Sequence, residues 1–313
     1  MNPLLPLMQR EWLQHRFAWA LLALVPLGLA LLALSFAQVG VDVDVDGDTI
    51  TQVTDARMAP VFALASMAAG SGLLFVILWV ASLIIISGLA RRDHGDRSVE
   101  FWMSLPVGHG TSLAVPLLVH LILVPAAALL IGLAGGWLLS LVLVGRVMGV
   151  AEWFTLPWGA LLGAALAVTA RLLAGLVLAT LWIAPLVLLL ILANAWFRRW
   201  GLVLLVVGIG IGGLVMDRVF GQPIVTDLVR DLLVNAGRAL AGASGGGMVV
   251  GKDSEPDLVL GQVPGWAWAD LLAALRALAS PLLAGGLLFA AGCFALLVDW
   301  RRRGASAAAW PRH

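Results

Sequence analysis

Residues 172–195 read LLAGLVLATLWIAPLVLLLILANA, 24 consecutive residues without a charge. At about 1.5 Å of rise per residue such a helix is roughly 36 Å long. That exceeds a hydrocarbon core of about 30 Å, so this stretch reads as a membrane span. Working outward, five further blocks qualify: 17–37, 60–90, 113–144, 201–220 and 279–298. The composition agrees, with 61% hydrophobic and only 12% charged residues and a mean hydropathy of +1.01. A soluble chain is about a quarter charged. The sequence therefore predicts an all-α polytopic membrane protein with six transmembrane helices. It leaves no room for an extended soluble catalytic domain and speaks against nucleic-acid binding. A single cysteine, Cys293, excludes an internal disulfide framework and a cysteine-based metal cluster. The first apolar block is long enough to stay in the membrane, so no cleaved signal peptide is expected.

The second and third blocks exceed what a crossing needs, which predicts tilt, or kinks at Pro116 and Pro125 in the third. The apolar stretch Leu156 to Ala170 abuts the fourth block without a polar break and reads as an interfacial or re-entrant helix on the outer side. Charge sets the orientation. With the N-terminus inside, the inner segments hold eleven arginines and five acids, a net of +6, and the outer segments net −5. Basic clusters Arg91-Arg92, Arg198-Arg199 and Arg301-Arg302-Arg303 lie directly at span ends. Positive flanks stay in the cytoplasm, so both termini are predicted to be cytoplasmic. Many of the fourteen tryptophans also lie near span ends, including Trp19, Trp137, Trp153 and Trp158. The headgroup preference of the indole ring accounts for this without a ligand.

Three segments outside the lipid have readable patterns. Residues 1–16 carry Trp12 and Leu13 beside Arg10, His15 and Arg16, which suits either an interfacial helix on the inner leaflet or an ordinary positive flank. Val41 to Ile50 alternates apolar and acidic residues around Asp46-Gly47, a β-hairpin signal. Asp42, Asp44, Asp46 and Gly47 also match half a calcium loop, but Val53 stands where the bidentate acid belongs, so the hairpin is preferred. The outer segment 217–280 predicts a small helical cap: a helix over Thr226 to Ala241 with Thr226 as N-cap, a glycine linker over 242–247, and a second helix over Trp266 to Ser280.

Several motif matches fail on context. Gly246 to Lys252 has the spacing of a phosphate loop, yet Asp253 replaces the magnesium-binding Ser or Thr and no strand or helix frames it. Gly208, Gly210, Gly212 and Gly213 fit a dinucleotide spacing inside a span, where small residues serve close helix approach or helix flexibility. Gly132 and Gly136 read the same way, as do Gly70 and Gly72. No Ser/His/Asp arrangement or metal-spaced histidine pair appears in the sequence. His120 is the only histidine well within a span, and an intramembrane ionisable residue is a functional candidate. With no acid in any span to pair with it, a neutral histidine bonded to a neighbouring helix is preferred to a proton relay. Together with Gly208, Gly210 and Gly212 it is a candidate for lining a pathway. Arg171, at the outer edge of the fourth span, is expected to snorkel to water.

The inner loop 91–112 is the only one longer than a tight connection. Asp96 or Ser98 can cap a short helix, Glu100 suits its first turn, and Pro106 stops it. Such a helix carries Phe101, Trp102, Met103 and Leu105 just below the membrane. A large apolar cluster there either dips into the headgroups or fills a pocket on a partner.

Arg97-Ser98-Val99-Glu100-Phe101-Trp102-Met103-Ser104-Leu105-Pro106-Val107 resembles the first cytoplasmic loop of ABC type-2 permeases, the membrane subunits of ATP-driven exporters. Leu181-Trp182-Ile183-Ala184-Pro185 and Ala193-Asn194-Ala195-Trp196-Phe197-Arg198-Arg199 are also similar to that family. It differs at Gly108-His109, where the family often has Ser or Asp, and at Pro116, where a Lys is common. The resemblance spans essentially the whole chain. It implies residence in a bacterial inner membrane, two permease copies or a permease heterodimer, and two cytoplasmic ATPase subunits. In that arrangement Arg97, Glu100, Phe101, Trp102, Met103, Leu105 and Pro106 form a coupling helix seated in the ATPase, which supplies ATP and Mg²⁺ chemistry. The chain carries no nucleotide motif or cofactor site of its own and is not expected to be an enzyme. Two rivals are a membrane-embedded sensor or scaffold that holds a cytosolic partner without transport, and a secondary transporter, which should show paired ionisable residues in broken helices. The substrate is not legible.

Overall fold

The computed structural model describes residues 4–36, 43–45, 48–50, 58–89, 108–197, 200–245 and 256–308. Six of its helices are long and apolar enough to cross a membrane. They are α1 (Leu4–Phe36), α2 (Ala59–Ser87), α3 (His109–Val147), α5 (Trp158–Phe197), α6 (Gly201–Phe220) and α9, whose apolar part is Pro281–Arg303 within Pro281–Ala308. Between them lie the short α4 (Val150–Thr155) and the amphipathic α7 (Ile224–Leu240) and α8 (Pro256–Ala277). Helices dominate because a backbone in lipid has no water to satisfy its polar groups and must pair them internally.

The tightest packing is between α2 and α3. A Cβ on Gly136 would fall 2.5 Å from the Met67 Cα, and one on Gly132 would fall 2.5 Å from the Ser71 Cα. From the other side, a Cβ on Gly70 would meet the Gly132 carbonyl at 2.7 Å. Backbone therefore touches backbone, as small residues at four-residue spacing allow. Gly72 has nothing within 4 Å and takes no part. Around this crossing, α1 packs Leu7, Trp19, Ala23 and Leu27 against Leu74, Leu78, Val115 and Leu139. A second and larger cluster joins α2, α3, α5, α7 and α9 through Ile86, Leu113, Trp182, Ile191, Leu232 and Leu297. Toward the other end Trp153, Leu161, Leu260 and Val263 close an outer layer.

The third span does not kink simply at its prolines. Between Pro116 and Pro125 it opens into a π-helical turn over Val119–Leu123, with the Val124 amide bonded to the Val119 carbonyl. Pro125 has no N–H to return to the Leu121 carbonyl, so the α ladder has a missing rung there. The Thr180 hydroxyl, hydrogen-bonded to the Leu176 carbonyl at 2.7 Å, also approaches the Leu121 oxygen at 3.5 Å. A π turn adds backbone to the helix and redirects what it carries. Here it carries His120.

Other boundaries differ from the sequence expectation in instructive ways. Residues from Leu4 onward are not a separate interfacial piece but the first turns of α1. Leu7, Glu11, Trp19, Ala23 and Leu27, all at multiples of four, are buried along it, so the bundle and not the leaflet takes up that face. Leu156 to Ala170 is likewise not re-entrant. From Trp158 onward it forms the outer turns of the 40-residue α5, with Leu161, Ala164 and Ala165 buried. Nothing between Trp158 and Pro185 breaks the backbone ladder. α7 starts at Ile224, so Thr226 lies inside it and makes no cap; its Oγ1 instead lies 2.7 Å from where a Cβ on Gly213 would fall. α8 begins ten residues before Trp266. Trp19 and Trp153 are 4% and 6% exposed, which makes them packing residues and not headgroup anchors. The acidic hairpin is present: Val43–Val45 (β1) pairs antiparallel with Asp48–Ile50 (β2), Val43 opposite Ile50 and Val45 opposite Asp48. α6 ends at Gly221, whose φ of +65° and amide bond to the Asp217 carbonyl form a left-handed cap.

The crossing is testable by size. Gly136→Ala forces α2 and α3 apart and should cost about 2 kcal/mol or more, whereas Gly72→Ala should leave stability unchanged or slightly raised. Thermal unfolding of the purified chain in detergent checks both.

Candidate functional site

Among the described residues, two buried ion pairs interrupt the apolar bundle. The first lies where α1 meets the π turn of α3. His120 Nε2 stands 3.2 Å from Glu11 Oε2, with the two side chains 0% and 1% exposed. The contact is a hydrogen bond in the Nε2–H tautomer and an ion pair when the imidazole is charged. His15, one turn along α1 from Glu11, brings its ring to 5.6 Å from that of His120, and Trp19 closes the group at 5.6 Å from His120 and 5.9 Å from His15. The expectation that His120 has no acidic partner is therefore incorrect. Glu11 reaches it because α1 begins well before its apolar part. The four-residue spacing of Leu7, Glu11, His15, Trp19 and Ala23 was the signal in the sequence: it places the acid and the histidine on the bundle-facing stripe.

The second centre lies near the opposite ends of the spans. Arg171, on α5, does not snorkel outward; it is 2% exposed. Its Nη2 makes an ion-pair contact with Asp270 Oδ2 at 2.7 Å, and its Nε donates to the same oxygen at 3.0 Å. Its Nη1 donates to the carbonyls of Ala239 and Leu240 at 3.0 and 3.2 Å. Those are last-turn carbonyls of α7, which have no helical partner of their own. Asp270, on α8, accepts the Gly242 amide at 3.1 Å on Oδ2 and the Ser244 amide at 2.6 Å on Oδ1. The predicted glycine linker is thus pinned at its start. One guanidinium and one carboxylate tie α5, α7 and α8 together, and Gly175 is required beside them because a Cβ there would meet the Leu240 carbonyl and the Arg171 side chain. Burial pushes the Asp270 carboxyl up, but hydrogen bonds from Ser244 and the Arg171 guanidinium outweigh it and hold the group below its ordinary value.

The glycines proposed to line a pathway behave differently. Among the described residues, Gly208, Gly210 and Gly212 have nothing within 4 Å of where a Cβ would lie, so they mediate no close helix approach there. Gly210 and Gly213 line an open apolar groove of about 690 Å³ between α6 and α7, rimmed by Asp217, Arg218 and Arg230. α6 packs on α5 and α7, and His120 faces α1, so the structure does not bring His120 and these glycines into one site.

The coupling residues Arg97, Glu100, Phe101, Trp102, Met103, Leu105 and Pro106 lie outside the described residues. The two roots of their loop are described. Leu89 after α2 and Leu113 in the first turn and a half of α3 are 3% and 2% exposed and belong to the largest core cluster, with Ile191 and Ala195 of α5 and Leu297 of α9. Asn194 Nδ2 donates to the Ser87 carbonyl at 2.9 Å, so α5 caps the end of α2 where the loop departs. Asn194 and Trp182, the latter 1% exposed in the same core, both come from the second family-like stretch. Against known proteins, no protein-family model, no curated protein and no solved structure matches the chain.

Asp270→Asn removes the charge but keeps the shape. Breaking a buried pair on one side costs about 3–5 kcal/mol, and the loss should appear as a lower unfolding temperature at neutral pH. The carboxyl's folded pKa lies below its ordinary 3.8. Its contribution is therefore fully present above 3.8 and is lost as pH falls further through the lowered value. Unfolding scans taken downward from neutrality should show the wild type converging on Asp270→Asn only in that acid range.

Proposed function

We propose that this six-span membrane protein is the transmembrane subunit of an ABC-type exporter, forming a pathway for substrate and taking mechanical work from a cytoplasmic ATPase through the 91–112 loop. The observation that carries the reading is the anchoring of that loop. Both its roots, Leu89 and Leu113, sit in the core cluster that also holds α5 and α9, and Asn194 ties the end of α2 to α5. A load on the loop is thus delivered to four spans at once, through packed side chains that have little room to absorb it. The apolar run Phe101, Trp102, Met103 and Leu105 gives such a load a surface to act on.

The reading needs a second membrane subunit, and the chain has the faces for one. α6 and α9 expose Leu202, Val206, Ile211, Leu214, Leu288 and Phe289 along their lengths. These suit lipid or a second permease copy, as a pathway between two subunits requires. Charge complements the inner side: Arg301, Arg302 and Arg303 at the end of α9 lie among the residues that the positive-inside rule places in the cytoplasm. ATP and Mg²⁺ belong to the partner in this scheme, and the conversion of ATP binding into rocking of the spans is the only step asked of this chain.

The test is the double substitution Phe101→Ala with Trp102→Ala. Loss of two central aromatic anchors should weaken binding of the ATPase about 30-fold or more and uncouple its turnover from the permease. Wild-type binding and wild-type ATP turnover in the variant would overturn the assignment. A partner that copurifies through the loop but hydrolyses no ATP would instead favour a sensor or scaffold.

A further inference from the structure

The open groove of about 690 Å³ between α6 and α7 is lined by Ile209, Gly210 and Leu214 on one side and by Val229, Leu233 and Val234 on the other. Arg218 and Arg230 stand at its rim, with Asp217 beside them. We propose that this groove binds one phospholipid of the outer leaflet, with an acyl chain along its floor and the phosphate held by Arg218 and Arg230. The site is independent of the ATPase reading and stands or falls without it.

Two contacts hold the walls of the groove in place. Gly213 is buried, and the Thr226 Oγ1 lies 2.7 Å from where its Cβ would fall, so α7 meets α6 at that point without an intervening side chain. On its other face α7 sends Leu232, Ala236 and Ala239 into the largest core cluster. That commitment keeps α7 from rolling onto α6, and Leu233 and Val234 stay 53% and 40% exposed in consequence. Gly210 contributes no side chain and has nothing within 4 Å of its Cβ position, which leaves the floor open along α6.

Surroundings and charge identify the occupant. The apolar window of α6 is 6% buried, so the protein leaves nearly all of this span to its environment. Arg218 stands in the last turn of α6, and the arginine distribution places that end at the outer face, level with the headgroups. Arg230 has no ion-pair partner among the described residues. Arg218 has Asp217 at 3.8 Å, with both side chains more than half exposed, and such a surface pair is weak. Guanidinium forks match phosphate oxygens in geometry and charge. With Asp217 counted, the rim carries a net +1. Asp227 and Asp231 fall outside the lining; at about 100° per residue they lie roughly 160° around α7 from Val229 and Leu233.

Size and symmetry agree with this choice. Small-molecule sites occupy about 300–1,000 Å³ and combine an apolar lining with a few polar groups that fix orientation. Here the polar groups are gathered at the rim, as a molecule with an apolar body and an anionic end requires. A second copy of the chain docked through the same groove would set Arg218 and Arg230 against the same two arginines, whereas a phosphate neutralises them. The bound lipid fills the gap between a loosely held span and a helix fixed on the core. A lipid-dependent rise in unfolding temperature follows.

The experiment uses the full chain, delipidated in detergent, with native mass spectrometry counting bound dioleoyl phosphatidylglycerol and bound dioleoylglycerol, which has the same chains and no phosphate. The wild type should hold one phosphatidylglycerol about 30-fold more tightly than dioleoylglycerol. Arg218→Gln with Arg230→Gln should abolish that preference and leave dioleoylglycerol binding unchanged. Gly210→Leu, which fills the floor, should weaken both lipids at least about 10-fold. Arg238→Gln, on the same helix and outside the groove, should bind as the wild type does. All four positions are exposed, so the variants should fold as the wild type does. Phosphatidylglycerol binding that survives undiminished in the double arginine variant or in Gly210→Leu would overturn the site. So would a dimer that Gly210→Leu disrupts and phosphatidylglycerol does not compete with, because the groove would then hold a second copy.

Discussion

Lipid tails are as apolar as leucine, so spans in a bilayer gain little from hiding apolar surface on one another and hold together where their backbones can pack. In this protein that constraint is met at the α2–α3 crossing, where Gly70, Gly132 and Gly136 bring main chain against main chain. Much else follows from its position. It fixes the direction in which α2 and α3 leave the bundle, and therefore where Leu89 and Leu113 emerge. Helices without such contacts are held more loosely: the apolar window of α6 is 6% buried, against 44% for α3 and 50% for α5.

The charged residues obey a second constraint. Charged residues are scarce, and among the described residues Glu11–His120 and Arg171–Asp270 are ion pairs with both partners buried. Arg171 and Asp270 pair with each other and with the loose carbonyls and amides around them, which makes their clamp a structural tie between α5, α7 and α8. Glu11 and His120 form the other buried pair, across the meeting of α1 and the π turn of α3.

The sequence reading succeeded where a signal was local. Six apolar blocks gave six spans, because length and hydropathy suffice for a membrane helix. Alternation around Asp46-Gly47 gave the hairpin, and the four-residue spacing of Gly132 and Gly136 gave a close approach, although Gly72 with the same composition makes none. It failed where the partner was distant or a boundary was unmarked. Glu11 and His120 are 109 positions apart, and Arg171 and Asp270 are 99 apart. Glu11 was read as part of a flank because charge near a span end usually marks the water line. Helices α1 and α5 carry on past that line without a breaker, so hydropathy alone cut them short. The orientation rests on arginine placement, and the coupling surface on residues 97–107, which lie outside the described residues.

Every functional step drawn above needs the 91–112 loop and the basic ends of the spans to share the cytoplasmic side, with the acidic hairpin and the 217–280 segment opposite. Side-specific labelling of single cysteines in a Cys293→Ser background tests this directly. With a membrane-impermeant maleimide on intact cells, Asp48→Cys and Lys252→Cys should react, and His94→Cys and Gly304→Cys should react only after the membrane is opened. Labelling of His94→Cys in intact cells would place the loop on the wrong side for any cytoplasmic ATPase and contradict the account.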